Sequence, residues 1–328
     1  TLSSSSAASD VYKRQAYVSS VNGLLLARLM TGLGLGAALP NLIALCAEAV
    51  EERRRGTAIS IMYCGVPLGG AIAAVVGMLG GENWQTVFIV GGVAPLLVAP
   101  LLIFALPESR DFREQHQGAA PVRESTVQAL FGGGRAGATL ALWVSYFFTL
   151  TVMYMLLNWL PSLLLEQGFS KPQAGTIQML FNIGGAIGSL LGGLLLDRRG
   201  RTGVVLFAYG GVLASLAGLG FASGMLAMAI AGFAAGLFII AAQLVLYALA
   251  PPAYPTSVRA TGVGAAVAVG RLGSVSGPLA AGQILAAGAG TTGVLLAASP
   301  GLVIAALVVL GMSRRRAVEA PPASTPSR

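Results

Sequence analysis

Apolar and polar positions follow one another along this chain in long blocks, not in short periods. Nine runs of about 20 or more mostly apolar residues read as helices long enough to cross a bilayer core. The first three cover 22–47, 56–79 and 84–106. The remaining six cover 138–165, 174–196, 203–222, 225–250, 261–287 and 292–312. Between the two groups lies a polar segment, 107–137, with Arg110, Arg113, Arg123 and Arg135, whose length and composition read as a linker. Residues 313–328 are rich in Arg, Ser and Pro and are expected to be disordered. Residues 1–15 are Ser-rich and lack the apolar core of a signal peptide, so they read as a non-native leader.

The joints between runs carry the orientation. Arg53, Arg54 and Arg55, the linker arginines, Arg198, Arg199, Arg201, Arg259 and Arg314 to Arg316 fall on one side, and only Lys171 on the other. Basic residues concentrate on the cytoplasmic side of membrane proteins, which puts the linker and the C-terminus inside. Composition agrees: 55% of the chain is hydrophobic and 10% is charged, a balance expected of an all-α membrane protein and not of a soluble domain. The net charge of +8 does not suggest nucleic acid as a partner, because it sits in short joints instead of a basic, aromatic-interleaved face.

Candidate chemistry is sparse. Cys46 and Cys64 lie inside apolar runs and read as small hydrophobes, and the only histidine, His116, lies in the linker. A buried Ser-His dyad and most metal sites are therefore not expected, nor is a cofactor, and the chain does not read as an enzyme. The charges inside the runs are more informative. In 27–57, ARLMTGLGLGAALPNLIALCAEAVEERRRGT, Arg28 precedes Gly32, Gly34, Gly36 and Pro40, and Glu48 closes the run. Glycines four apart admit a second helix closely. Arg28 either snorkels to the nearer membrane face or turns to a partner or wet cavity. Arg271 is placed more tellingly, ten residues into its run, about 15 Å from the inner end, with Gly270, Gly273 and Gly277 around it. A lone arginine near the midplane fits a cavity that receives an anion, because guanidinium grips carboxylate with two parallel bonds; a salt bridge to a helix outside this chain is the other reading. Asn41, Tyr154, Asn158, Asn182, Gln243 and Tyr247 are polar groups that either line such a cavity or only hydrogen-bond between helices. Asp197-Arg198-Arg199-Gly200-Arg201 reads as either an ion-paired latch at the inner face or an ordinary basic joint. A short echo, Arg55-Gly56-Thr57-Ala58 against Arg259-Ala260-Thr261-Gly262, fits two related bundles with a site between them.

These stretches resemble the major facilitator superfamily. Asp197-Arg198-Arg199-Gly200-Arg201 is similar to its inner-loop signature, and R-L-M-T-G-L-G-L-G-A-A-L-P-N with Glu48 twenty residues after Arg28 is similar to its aromatic acid:proton symporters. In that family arginines like Arg259 and Arg271 recur twelve residues apart. The resemblance implies helices four to twelve of a twelve-helix bundle: helices four to six in 16–106, and a six-helix bundle in 138–312. It further implies proton-coupled uptake of an aromatic carboxylate such as 3-(3-hydroxyphenyl)propionate, by alternating access, across a bacterial inner membrane by a monomer. Arg271, Arg28, Asn41, Tyr154, Asn158, Asn182, Gln243 and Tyr247 become candidates for binding substrate. Glu48, Asp197, Arg198, Arg201 and Arg259 become candidates for gating and coupling. The family's acidic motif of helix one is not in this sequence, so the principal proton-binding carboxylate is expected in the three absent helices. Pro67-Leu68-Gly69-Gly70 partly resembles the proline-glycine motif of proton antiporters, which keeps export as an alternative, and a non-transporting remnant is a third reading.

Overall fold

The computed structural model describes residues 20–32, 50, 55–79, 85–93, 125–198, 201–255 and 258–319. The chain divides into two compact units, Thr1–Ala120 and Pro121–Arg328. All regular structure among the described residues is helical.

In the first unit, helix covers 21–32, α1 (Arg55–Leu79) and 85–93. Ser20 starts the first of these, its hydroxyl accepting from the Gly23 amide at 3.2 Å, which satisfies one of the amides a helix start leaves open. Tyr63, Cys64 and Ala71 of α1 are buried, whereas Ile61, Val66, Leu68 and Ile72 are exposed. A side chain at Gly77 would stand 3.9 Å from Val87, so the last turns of α1 lie beside the 85–93 helix.

The second unit holds α2 (Thr126–Phe131), α3 (Ala136–Glu166), α4 (Lys171–Arg198), α5 (Arg201–Phe221), α6 (Met225–Leu249), α7 (Arg259–Ala286) and α8 (Gly290–Glu319). A 3-10 turn, Pro251–Ala253, lies between α6 and α7. The most extensive pairings are α4 with α6 and α3 with α7, followed by α5 with α6 and α3 with α8. α3 forms much of the core, with Leu142, Tyr146, Leu150, Leu156 and Leu160 almost wholly enclosed. Leu206, Phe207, Phe221, Leu226, Ile230, Leu296 and Leu307 are exposed, an apolar outer surface suited to lipid and not to water.

Lipid tails are as apolar as leucine, so helices in a bilayer associate through close packing, which small residues permit. Both main seams use that device. Along α4, Gly184 and Gly188 lie directly against the carbonyls of Phe233 and Leu237 of α6, and Gly236 of α6 lies against the Phe181 carbonyl. Along α7, Gly273 and Gly277 lie against the Phe147 and Thr151 carbonyls of α3. The register rises in step on both helices of each seam, so the paired helices run parallel. α3 and α7 also end alike. Gly168 (φ +91°) and Gly288 (φ +77°) take the left-handed conformation that lets the next amide reach back to the helix: Phe169 to the Leu164 carbonyl at 3.0 Å and Ala289 to the Ile284 carbonyl at 3.2 Å.

Seven helices among the described residues are long and apolar enough to cross a membrane, and they coincide with the second run and the last six of the expected nine. Of the first and third runs, only 22–32 and 85–93 are described, both helical. Two expectations change. The 107–137 segment contains α2, capped by the Ser125 hydroxyl on the Gln128 amide at 3.3 Å. α2 docks on the bundle, burying Ala129 and Leu130 and setting Phe131 edge-on to Trp143 at 5.7 Å. The last helix runs to Glu319 instead of ending at Met312, so 313–319, read as part of a disordered tail, is helical. Arginine, alanine and glutamate sustain a helix beyond the point where hydrophobicity stops.

Candidate functional site

The α3–α7 seam presents the chemistry. Phe147, Thr151, Tyr154 and Asn158 follow at helical spacing along one stripe of α3. The first two meet the glycines of α7: Gly273 packs on Phe147 and Gly277 on Thr151. One step lower, a side chain at Gly270 would stand 2.9 Å from Leu150 and 3.2 Å from Tyr146. Hydroxyls line the seam as well, with the Thr151 and Ser276 oxygens 3.4 Å apart.

Arg271 follows Gly270 and stands at the border of the seam, next to the exposed ridge Leu272, Val275 and Leu279. It lies twelve residues into a 28-residue helix, about 18 Å from the first residue. Its guanidinium Nη1 donates to the Tyr154 hydroxyl at 2.7 Å and lies 6.0 Å from the centre of that ring. The side chain is exposed on the described unit and Tyr154 is half-buried. An arginine at mid-helix costs about 2.5 to 3.5 kcal/mol on insertion scales, so such a residue pairs with another group, lines a wet path or receives an anion. One turn beyond, Asn158 is exposed and donates to the Tyr154 carbonyl at 2.7 Å.

A second polar group lies deeper. The Tyr146 and Tyr247 rings meet edge to face at 5.9 Å, and Gln243 donates to the Tyr247 hydroxyl at 3.3 Å. Gln243 is enclosed, and its side-chain oxygen has no hydrogen-bond partner among the described residues. Asn182 is also buried, donating to the Gln178 carbonyl of its own helix at 2.8 Å. The structure therefore joins Tyr154, Asn158 and Arg271 in one constellation, and Gln243 and Tyr247 in another, packed on Tyr146. The Asn182 bond stays within α4 and joins it to neither group.

In the first unit, Arg28 is exposed and its guanidinium lies 5.1 Å over the Phe88 ring, a cation–π contact. Asn41 and Glu48 lie outside the described residues. α4 ends on Asp197 and Arg198 and α5 begins on Arg201, but the side chains of all three lie outside the described ones. Arg259 is exposed at the first position of α7. Among the described residues no three His, Cys, Asp or Glu side chains gather as metal ligands would.

Sequence reasoning passed over several polar contacts. The Tyr254 hydroxyl donates to Thr139 at 3.0 Å, and Thr139 donates to the Leu130 carbonyl of α2 at 2.7 Å. Thr149 and Tyr209 are joined at 2.9 Å inside the bundle, and the single Thr291 hydroxyl hydrogen lies between two acceptors, Glu166 at 2.8 Å and the Leu163 carbonyl at 2.9 Å. Only Tyr254 had a sequence signal, as a large residue just after the Pro251-Pro252 break before Arg259.

A membrane bundle of parallel glycine seams with an arginine at mid-helix defines a class, and comparison gives it a family. The Major Facilitator Superfamily matches residues 11–278 and 142–327, and the chain belongs to that superfamily of transporters. Among its relatives, the 3-(3-hydroxyphenyl)propionate transporter of Escherichia coli is 55% identical over 90% of this chain and 73% of its own length. The gallate transporter of Pseudomonas putida is 37% identical over 80% of this chain and 65% of its own length. A 4-hydroxybenzoate transporter of Pseudomonas aeruginosa is 34% identical over the same shares, 80% and 65%. The crystal structure of the Escherichia coli fucose:proton symporter shares the fold, with a TM-score of 0.65 at 14% identity over 96% of this chain and 82% of that one. The chain is thus a multi-pass membrane transporter closely related to aromatic acid transporters.

Proposed function

We propose that this transporter takes up an aromatic carboxylate together with protons, by alternating access, across the bacterial inner membrane. The observation that carries the reading is Arg271, a guanidinium held exposed at mid-helix beside Tyr154. The substrate class follows from that cation and from three relatives named for aromatic acids. The 55% identity favours 3-(3-hydroxyphenyl)propionate among them. Proton coupling belongs to the same proposal, with Glu48 and Asp197 as the candidate carboxylates of this chain and Arg198, Arg201 and Arg259 as cytoplasmic-face gating groups. The basic joints put the linker and the C-terminus in the cytoplasm.

The test is uptake of labelled 3-(3-hydroxyphenyl)propionate by cells without aromatic-acid carriers of their own. The chain is expressed alone and preceded by the three helices that the family resemblance places before it. Gradient-dependent accumulation that a protonophore abolishes, and that excess gallate leaves largely intact, is expected from at least the extended form. Equilibration without accumulation would replace a coupled carrier by a passive one. Dye efflux without acid uptake would favour the exporter. Cysteines placed at Gln117 and Ser324, in a background with Cys46 and Cys64 replaced by serine, should resist an impermeant thiol reagent in intact cells. Labelling of either site reverses the orientation.

A further inference from the structure

We infer that Tyr154 is the second donor of the carboxylate grip and sets the preference for an ionised acid over its neutral analogues. The inference rests on the proposed reading of Arg271 and deepens it. A guanidinium has five N–H donors and no acceptor, so in the 2.7 Å contact the phenol oxygen accepts from Arg271 Nη1. The phenol's own hydrogen must then point away from the guanidinium. No other hydrogen bond involves that hydroxyl among the described residues, and the other contact of Tyr154, from Asn158, falls on its main-chain carbonyl.

The two donors are pre-set. Arg271 is placed by the glycine seam, since Gly270 and Gly273 on either side of it are locked against α3. Tyr154 lies on the same α3 stripe, one turn beyond the Thr151 that Gly277 packs on. An oxygen that accepts from a cation becomes a stronger donor through its own hydrogen, because the bond polarises the hydroxyl. An anion that meets the guanidinium can therefore take a second charge-assisted bond from the phenol. A carboxylate has two equivalent oxygens for two such donors. A primary carboxamide has one acceptor oxygen and offers an N–H₂ group where the other donor needs an acceptor.

The experiment compares the parent with Tyr154→Phe, both in the form that accumulates substrate. Binding of 3-(3-hydroxyphenyl)propionate and of its carboxamide is measured calorimetrically on purified protein. The phenyl ring keeps the packing and removes only the hydroxyl. We expect the Kd for the acid to rise roughly tenfold or more while that for the carboxamide stays within about twofold. The carboxamide is the internal measure of an intact site. Equal weakening for acid and amide would make Tyr154 a packing residue, and unchanged binding of the acid would leave Arg271 to act alone. Either result overturns the inference while leaving aromatic acid uptake standing. A parent that binds no aromatic acid removes both.

Discussion

α1 and α7 open alike and end up doing different work. Each starts on an arginine followed two residues later by threonine, Arg55 and Thr57 in one unit, Arg259 and Thr261 in the other. Each has a glycine at the fifteenth position, Gly69 and Gly273, and the two are the least buried of the seven spans. At the thirteenth position they part: α1 has Pro67 and α7 has Arg271. The glycines part too. Among the described residues, nothing lies within 4 Å of where a side chain would begin at Gly65 and Gly69, whereas Gly273 and Gly277 press on the α3 backbone. Glycine spacing in a sequence shows where a neighbour can come close, and the structure shows where one has come. In the second unit the close approach also sets the position of Arg271, where the first unit has Pro67.

One methyl added to the tight helix has the largest expected effect. Gly273→Ala puts a carbon where the Phe147 carbonyl stands, and neither backbone can yield without opening the seam. Overpacking of that kind costs about 1 to 3 kcal/mol or more. The variant is expected to lose most folded protein and nearly all uptake, read as a fall in the monodisperse, detergent-extracted fraction. A variant that extracts and melts like the parent would mean that α3 and α7 are not in close contact.

The next largest effect is chemical. Arg271→Lys keeps the positive charge but replaces a planar fork by a point donor. Uptake of aromatic acids should fall at least about tenfold, a loss of roughly 1.4 kcal/mol or more of binding, while membrane expression stays near the parent's. Parent-level uptake with lysine would take Arg271 out of the substrate site and reduce the difference between the two helices to packing.

What the sequence could show follows from these contrasts. The runs of the second unit were legible to within a few residues, save the end of α8 at Glu319, because hydrophobic length and charged joints are local properties. Arg271 was legible for the same reason: a charge deep in an apolar run is conspicuous without any partner. Its pairing with Tyr154 was not, since 117 positions separate them and only the register of α7 on α3 brings them together. Tyr154 was one of several polar residues with no mark to distinguish it from Asn182, which bonds only within its own helix. α2 escaped because six residues are too few to show a helical period, and its link through Thr139 runs on to Tyr254, 115 positions beyond Thr139.

That docking allows a milder test of how the root of α7 is held. Tyr254 is buried with its ring against Gly262, and its hydroxyl donates to Thr139. Tyr254→Phe removes the donor but leaves Thr139 donating to the Leu130 carbonyl, so no buried main-chain acceptor is left bare. The cost should be about 0.5 to 1.5 kcal/mol, seen as a melting point lower by a few degrees, with uptake close to the parent's. A loss of uptake without a change in melting would show that the link from α2 to α7 serves transport and not only stability.

The smallest effect is expected at the matching glycine of α1. Gly69→Ala makes the same chemical change as Gly273→Ala at the matching position of α1, where no described residue stands within 4 Å of the added carbon. Nothing described there resists a methyl group, and alanine favours a helix over glycine by about 1 kcal/mol because it restricts the unfolded chain. The melting point of the variant should match or slightly exceed the parent's, and uptake should stay within about twofold, the margin expected of a surface change. The measurement is a paired one, with both alanine variants melted and assayed side by side in the same form of the protein. If Gly69→Ala destabilises as much as Gly273→Ala, the α1 glycines do meet a close backbone during folding or transport. The two helices would then use their matching glycines in the same way, and Arg271 against Pro67 would be the whole of the difference between them.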